Sequence, residues 1–241
     1  EHEMIELRPF DSLGAFRNDW LNARHHFSFG NYFDPKRQSW GKLRVWNDDI
    51  IDAGTGFAPH GHRDMEIITY VRKGAISHRD NQGNAGRTEA GDVQVMWAGN
   101  GIVHEEMNHE SEDTEIFQIW IETAQPGIDP GWEARSFPKE ERAGELVVLA
   151  SGRPGDTDAA PIHQDAAILA ATLKAGQSVT HSLGSGRHAY LVAATGAVDV
   201  ANGSAEAVKA SARDGVAIRD VDSVTVTATE DAEILIADVP A

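Results

Sequence analysis

Residues 60–74 read HGHRDMEIITYVRKG. The apolar, β-branched segment Glu66–Val71 is bounded by charged residues and by Gly74, which is typical of a β-strand. Residues i and i+2 of an extended segment project from the same face, so the imidazoles of His60 and His62 can reach one metal ion. Taken alone, the pair also fits two surface histidines in a loop, because a chain with 11 histidines contains such pairs by chance.

A second candidate ligand pair lies about 40 residues further on, in His104-Glu105-Glu106. It follows the turn-forming sequence Gly99-Asn100-Gly101, and a hairpin and a glycine-bounded strand separate it from the first pair. An isolated His-x-Glu pattern means little in an acidic chain. The two pairs together would place three imidazoles and one carboxylate inside one β-barrel, which is the donor set of a metal site.

Short β-branched runs bounded by Gly, Asn, Asp or Pro dominate the rest of the chain, and helical periodicity is almost absent. We therefore predict an all-β fold of the sandwich or barrel type. Two short helices are predicted, at Ser12–Trp20 and at Pro138–Arg142, where Pro138 suits a first helical position. The predicted strands are Leu43–Asn47, Glu66–Val71, Asp92–Trp97, Glu115–Ile121, Glu145–Leu149, Ala189–Ala194, Ala197–Val200, Ser223–Thr229 and Glu233–Ala237.

The chain also divides into two similar halves. The segment TYVRKGAIS, residues 69–77, corresponds to LVAATGAVD, residues 191–199, and their glycines are 122 residues apart. Gly91 and Gly215, each followed by apolar alternation, are 124 residues apart, so the register is nearly constant. Chance similarity between short hairpins is the alternative. The repeat favours two tandem β-barrel domains.

Proline and glycine concentrate in residues 125–131, which predicts the domain boundary there or shortly after. The first domain, residues 4–130, then contains all the candidate ligands. When their positions are moved by the repeat offset into the second domain, residues 131–241, at most two potential ligands come together, even with a register error of two. His181 and His188 are therefore interpreted as structural histidines, and the second domain is predicted to lack a metal site.

Composition excludes several classes of protein. The 241 residues carry 21 Lys and Arg against 38 Asp and Glu, a net charge of −17, which disfavours direct binding to nucleic acid or to anionic lipid. There is no cysteine, so disulfides, thiolate zinc sites, iron–sulfur clusters and cysteine nucleophiles are excluded. No apolar run approaches the ~18 residues of a membrane helix, and the N-terminus lacks the features of a signal peptide. We expect a cytoplasmic protein.

The ligand pairs lie in motifs that are recognisable. Gly54-x5-His60-x-His62-x3-Glu66-x7-Gly74 resembles the first cupin motif, and Gly101-x2-His104-x3-Asn108 resembles the tail of the second. More closely, the chain resembles the pirin family, in its bacterial form similar to quercetin 2,3-dioxygenase. The resemblance is strong over residues 5–122 and weaker beyond, where His163-Gln164-Asp165 is the clearest match. The matching blocks are HFSFGNYFDP (26–35), LRVWNDD (43–49), GFAPHGHRDME (56–66), GNGIVHEE (99–106) and QIWI (118–121).

This resemblance implies two tandem cupin domains, a bicupin, with one mononuclear metal in the first domain. The family's ligand positions fall on His60, His62, His104 and Glu106, and Glu66, the usual cupin carboxylate, is not a ligand in pirins. Glu105 is expected to point away, since adjacent strand residues face opposite sides. Three histidines and one carboxylate suit a first-row divalent metal better than calcium or magnesium. Fe(II) is the first choice by resemblance, and Ni, Co, Mn, Cu or Zn are the alternatives.

The activity that the resemblance implies is quercetinase-like: oxidative cleavage of a flavonol ring by O₂, giving a depside and carbon monoxide. The partners are then a small aromatic substrate and O₂, with Glu106 both binding the metal and accepting the proton of the substrate hydroxyl. The alternative is a metal- or redox-responsive regulator that acts through a protein partner, as some pirins do. A purely structural bicupin is the third possibility. We expect a monomer, because two fused barrels already bury each other's open faces.

Two orientations stay open in the sequence. Gln118 and Trp120 alternate with Phe117 and Ile119, so one pair faces the barrel interior, but the pattern does not say which. The aromatic-rich segment that begins with His25 and His26 either lines the mouth of a pocket or packs in the core between the domains.

Overall fold

The computed structural model describes residues 3–203 and 206–241, and these form an almost entirely β structure, which confirms the predicted fold class. All nine predicted strands are present, most of them longer than expected. The first half of the chain contains β1 (Met4–Arg8), β2 (Gly14–Arg17), β3 (Leu21–His25), β4 (Leu43–Ile51), β5 (Gly56–His62), β6 (Met65–Lys73), β7 (Ala75–Asp80), β8 (Ala85–Glu89), β9 (Val93–Trp97), β10 (Ile102–Met107), β11 (Thr114–Glu122) and β12 (Gly131–Arg135).

The second half repeats this sequence of short strands and hairpins. Its strands are β13 (Val147–Ser151), β14 (Ala160–Pro161), β15 (Ala167–Leu173), β16 (Ser178–Ser182), β17 (Arg187–Thr195), β18 (Ala197–Ala201), β19 (Val208–Ser211), β20 (Gly215–Arg219), β21 (Ser223–Ala228) and β22 (Ala232–Pro240).

Each half consists of one seven-stranded and one four-stranded sheet, as in a cupin jelly roll. The seven-stranded orders are β12-β9-β6-β11-β4-β3-β2 and β1-β20-β17-β22-β15-β13-β14. The four-stranded orders are β5-β10-β7-β8 and β16-β21-β18-β19. The central strands β9-β6-β11-β4 correspond one by one to β20-β17-β22-β15, so the predicted duplication is present in the topology.

The repeat is also visible in turn geometry. β17 begins and ends 122 residues after β6, and each is followed by a glycine in the left-handed region, Gly74 with φ 78° and Gly196 with φ 79°. β20 likewise follows β9 by 122 residues. The residue equivalent to Gly91, which has φ 88°, is therefore Arg213 with φ 72°, and the predicted match of Gly91 with Gly215 is wrong by two positions.

The two seven-stranded sheets pack against each other through one hydrophobic cluster. It includes Trp46, Tyr70 and Phe117 from the first half and Tyr190 and Leu235 from the second, all buried. The opposite face of the first sheet packs against the four-stranded sheet of its own half through two smaller clusters. Strands β4, β6 and β11 are therefore buried on both faces, which explains the apolar residues on both faces of β6 and β11, whereas β4 also buries the polar residues Asn47, Asp48 and Asp49.

Two strands cross the predicted boundary. β12 pairs antiparallel with β9 in the sheet of the first half, and β1 pairs antiparallel with β20 in the sheet of the second half. By strand pairing, the first unit extends to Arg135 and the second unit takes its edge strand from the N-terminus of the chain. The division into domains 4–130 and 131–241 stays a prediction.

The predicted helix at Ser12–Trp20 is wrong. The 3-10 turn Phe10–Ser12 overlaps this range only at Ser12, and β2 follows. The backbone amides of Trp20 and Leu21 both donate to the Asn18 side-chain oxygen, at 2.9 and 2.7 Å, which closes a tight turn between β2 and β3.

The second predicted helix is present as a short 3-10 segment, Lys139–Arg142, with Pro138 immediately before it. None of the helical segments in the described residues is long and apolar enough to cross a membrane.

Candidate metal centre

The three candidate histidines lie on two neighbouring antiparallel strands of the four-stranded sheet. His60 and His62 lie on β5 and His104 lies on β10, where the register pairs His104 directly with His60. Cross-strand pairing thus brings together residues that are 44 positions apart, as the two motifs predict.

A bulge in β5 sets the orientation of His60. β10 advances two residues from His104 to Glu106, while β5 advances three from His60 to Phe57. Pro59 lies in this interval, where its missing N–H does not break the ladder. The extra residue changes the alternation, so that Phe57 packs among the interior residues although it is an odd number of positions from His60.

The Nε2 atoms of the three histidines converge. His104 Nε2 lies 3.0 Å from His60 Nε2 and 3.1 Å from His62 Nε2, and the three donor atoms lie within 4.8 Å of one another. His60 Nδ1 lies 2.7 Å from the Ala58 carbonyl oxygen, so Nδ1 carries the proton and Nε2 presents a lone pair. Nitrogens bound about 2.1 Å from one metal at right angles are about 3.0 Å apart. The observed spacing therefore fits one metal ion.

The protonation of these histidines also suits a metal site. Burial, together with the charge of His60, lowers the pKa of His62 to about 4. Burial lowers the pKa of His104 to about 2, with contributions from His60 and His62. Both rings are therefore neutral at pH 7, which is the form that binds a cation.

Glu106 lies on β10 two residues beyond His104 and is 2% exposed, whereas Glu105 between them is half-buried. Glu106 Oε1 accepts a hydrogen bond from Gln118 Nε2 at 3.1 Å and lies 3.5 Å from His104 Nδ1, while the buried Glu106 Oε2 has no hydrogen-bond partner among the described residues. Burial raises the pKa of Glu106 to about 7. The donor atoms that converge belong to the three histidines, and Glu106 is not part of this group. Its roles as fourth ligand and as proton acceptor stay predictions.

Glu66, the usual cupin carboxylate, faces away from this centre. Its Oε1 accepts hydrogen bonds from the backbone N–H of His163 at 2.5 Å and from His163 Nδ1 at 2.8 Å. Its neighbours Ile68 and Tyr70, at i+2 and i+4, belong to the core between the two halves, whereas Ile67 packs inside the first half. Alternation along β6 therefore directs Glu66 to the second half of the chain, where it joins the two sheets.

The structure settles the two orientations that the sequence leaves open. Gln118 and Trp120 face the interior: Trp120 contacts the ring of His62, with centroids 5.1 Å apart, and donates through Nε1 to Gln118 Oε1 at 3.1 Å. His25 faces the same interior, where its Nδ1 bonds Asn47. His26 faces the other way and bonds the Tyr190 hydroxyl across the interface between the halves, at 2.6 Å.

One residue beside the centre was missed by sequence reasoning. His78 on β7 is buried behind His104, with ring centroids 5.4 Å apart, and its Nε2 lies 2.7 Å from Asp80 Oδ2. Its ring stacks on Trp132 of β12 at 4.9 Å and 7°. Burial lowers the pKa of His78. The His78-Arg79-Asp80 spacing was the available signal, since i and i+2 share a face of a strand.

A chamber of about 510 Å³ opens beside the centre, a size usual for small-ligand sites. Phe57 connects it to His60, with ring centroids 6.4 Å apart, and Gln118 connects it to Glu106. The remaining walls come from β2, β3, β4 and the loop after β3, and they include Phe16, Phe29, Tyr32, His25, Asn47 and Asp49.

In the described part of the second half, no comparable group of metal-binding side chains assembles. His181 Nε2 donates to Asp238 Oδ2 at 2.7 Å, and Asp238 also accepts from Arg187 Nε at 2.8 Å. The interior between the sheets is filled by aliphatic side chains such as Val198 and Val226.

These features define a protein with two cupin domains, the first of which has donors for one metal ion. The sequence model described as Pirin matches residues 7–121, and the model described as Quercetinase C-terminal cupin domain matches residues 148–239. The chain belongs to the pirin family, as the sequence motifs indicated.

Relatives support this membership over the whole chain. A pirin-like protein of Caulobacter vibrioides is 57% identical over 98% of this chain and 99% of its own length. Quercetin 2,3-dioxygenase of Escherichia coli is 41% identical over 98% of this chain and 99% of its own. The crystal structure of the bacterial pirin YhhW of Escherichia coli in complex with nickel(II) superposes with a TM-score of 0.90, with 36% identity, covering 98% of this chain and 99% of that chain.

Proposed function

We propose that this protein is a metal-dependent dioxygenase of the quercetinase type, which cleaves a flavonol with O₂ to a depside and carbon monoxide. The observation that carries the proposal is the convergence of three imidazole Nε2 atoms near a buried carboxyl group, beside a chamber with aromatic walls. The similarity to an Escherichia coli protein named quercetin 2,3-dioxygenase supports the choice of reaction.

His60, His62 and His104 would hold the metal, and Glu106 would complete the set. When bound, a redox-active divalent metal, with Fe(II) as first choice, stabilises the deprotonated substrate oxygen and makes reaction with O₂ accessible. The nickel complex of a bacterial pirin shows that a related protein takes up a first-row metal. His78, packed behind His104, would fix the orientation of that ring.

Glu106 would accept the proton of the substrate 3-hydroxyl. Burial raises its pKa to about 7, which suits a base that must both take up and release a proton near neutral pH. Gln118 holds Oε1 through a hydrogen bond, so the unpartnered Oε2 remains to receive the proton. Glu106 is 2% exposed, so bulk water is excluded from this exchange.

The test combines metal analysis with oxygen uptake. The protein is purified without oxygen, its metal content is measured, and O₂ consumption and carbon monoxide release are followed with quercetin. We expect about one metal per chain and activity that Glu106→Gln reduces by at least about 100-fold. Glu105→Gln is the matched control, because Glu105 is adjacent on the same strand but less buried and outside the centre.

Two outcomes would contradict the proposal. One metal per chain without oxygen uptake, after reconstitution with each of the candidate metals, would favour the metal-responsive regulator that acts through a protein partner. A metal-free protein that takes up no metal would mean that the ligand set is wrong. We expect the active form to be a cytoplasmic monomer.

A further inference from the structure

The chamber beside the metal centre has one polar wall, built by register across three strands. His25 on β3 pairs with Asn47 on β4, and Asn47 pairs with Gln118 on β11. His25 Nδ1 donates to Asn47 Oδ1 at 2.8 Å, which leaves the Asn47 amide N–H groups and His25 Nε2 for another partner. Donors and acceptors therefore alternate along this wall.

Asp49 extends this wall by one step along β4. It is 3% exposed, lines the chamber, and its carboxylate makes no hydrogen bond and no close ion pair with any described residue. Its neighbour Asp48, on the opposite face, accepts from Arg72 at 2.6 Å and from Arg213 at 2.7 Å. Burial raises the pKa of Asp49 to about 8, with Asp48 adding to the effect. A buried carboxyl without such partners is costly unless something binds to it.

The facing walls are aromatic, and the chamber lies beside the metal centre, separated from it by Phe57 and Gln118. Phe16, Phe29, Tyr32 and Phe57 line it. Phe29 packs edge-on against Trp120, with centroids 5.6 Å apart, and Trp120 lies against His62. A planar ligand that places one ring at the histidines must extend past Phe57 and Gln118, and its second ring then lies between the aromatic side chains and the polar wall.

We propose that the polar wall binds hydroxyl groups on the second ring of an aromatic substrate, and that Asp49 selects for a hydroxylated ring. This inference rests on the proposed function for the position of the reacting ring. Two neighbouring hydroxyls match the wall, because each can donate to a carboxyl oxygen of Asp49 or to the His25 imidazole nitrogen and accept from the Asn47 amide. Asp49 is thus a specificity-determining residue.

The experiment measures equilibrium binding without turnover. Isothermal titration calorimetry under anaerobic conditions gives Kd for 3-hydroxyflavones that carry two hydroxyls, two methoxy groups or no substituent on the pendant phenyl ring. We expect wild type to prefer the dihydroxy compound about tenfold over the other two, as for one hydrogen bond to a charged or buried acceptor. In Asp49→Ala the preference falls to about twofold or less, while the unsubstituted compound binds as in wild type. Asp52→Ala, an exposed position on the same chain segment, is the matched control.

Each outcome of the titration either supports or overturns the inference about Asp49. No preference in wild type overturns the inference and needs no variant, so a misfolded variant cannot hide the answer. A tenfold preference that survives in Asp49→Ala also overturns it. Failure of the proposed function is read separately: selective, Asp49-dependent binding with no oxygen uptake under air would leave this inference standing and remove the dioxygenase assignment.

Discussion

Removing the Glu66 carboxylate tests whether this residue joins the two halves or binds the metal. The carboxylate accepts two hydrogen bonds from His163, at 2.5 and 2.8 Å, and its side chain is 2% exposed. Hydrogen bonds to charged groups contribute about 1.5–3 kcal/mol each, so Glu66→Ala is expected to lower the free energy of unfolding by about 3 kcal/mol or more. At about 2–4 °C per kcal/mol for a chain of this size, Tm falls by roughly 6–12 °C.

The assay is differential scanning calorimetry together with metal analysis of the same sample. We expect one metal per chain in both wild type and Glu66→Ala, because the side chain faces away from the histidines. Glu122→Ala is the control: this glutamate forms ion pairs with Lys42 and Arg44 but is 35% exposed, so its loss should shift Tm by less than about 3 °C. Loss of metal in Glu66→Ala at an unchanged Tm would refute the reasoning.

Three further predictions follow from the structure. His62→Ala should weaken metal binding by at least about tenfold in a chelator competition titration, while exposed His109→Ala should leave it unchanged. Asp48→Ala leaves two guanidinium groups without their buried acceptor, so chemical denaturation should show a loss of about 3–5 kcal/mol. Because burial raises the pKa of Asp49 to about 8 from 3.8, the folded metal-free protein keeps a proton that the unfolded chain loses, and its stability should fall as pH rises from about 4 to about 8. Asp49→Asn should flatten that slope in Tm measured against pH, and an unchanged slope would contradict the assignment.

Local sequence determined much of this protein. The strands were recognisable because short β-branched runs end at turn-forming residues, and Gly74 and Gly196 marked the duplication because each occupies a left-handed turn that a side chain would strain. The histidines of the centre were recognisable because a strand places residues i and i+2 on one face. Because the chain has no cysteine, the sequence left imidazole and carboxylate groups as the metal donors.

Only the tertiary structure decided which face of each strand points into the interior of its own half and which points toward the other half. β4, β6 and β11 are buried on both sides, so hydrophobic alternation, the signal that separates inside from outside, is missing from their sequences. The direction of Glu66 toward His163 and of Gln118 toward Glu106 therefore had no local signature. The same holds for His25 and His26, which point to opposite sides of one sheet.

The chamber also depended on tertiary structure. Its outer wall includes β2, a strand in the segment that sequence reasoning assigned to a helix, and the Asn18 turn that holds it is a side-chain interaction rather than a periodic pattern. β5 carries a bulge at Pro59 that brings Phe57 and His60 to one side. Sequence supplied the reactive side chains, whereas register, bulges and the packing of two sheets decided what surrounds them, because these arise from contacts between residues far apart in the chain.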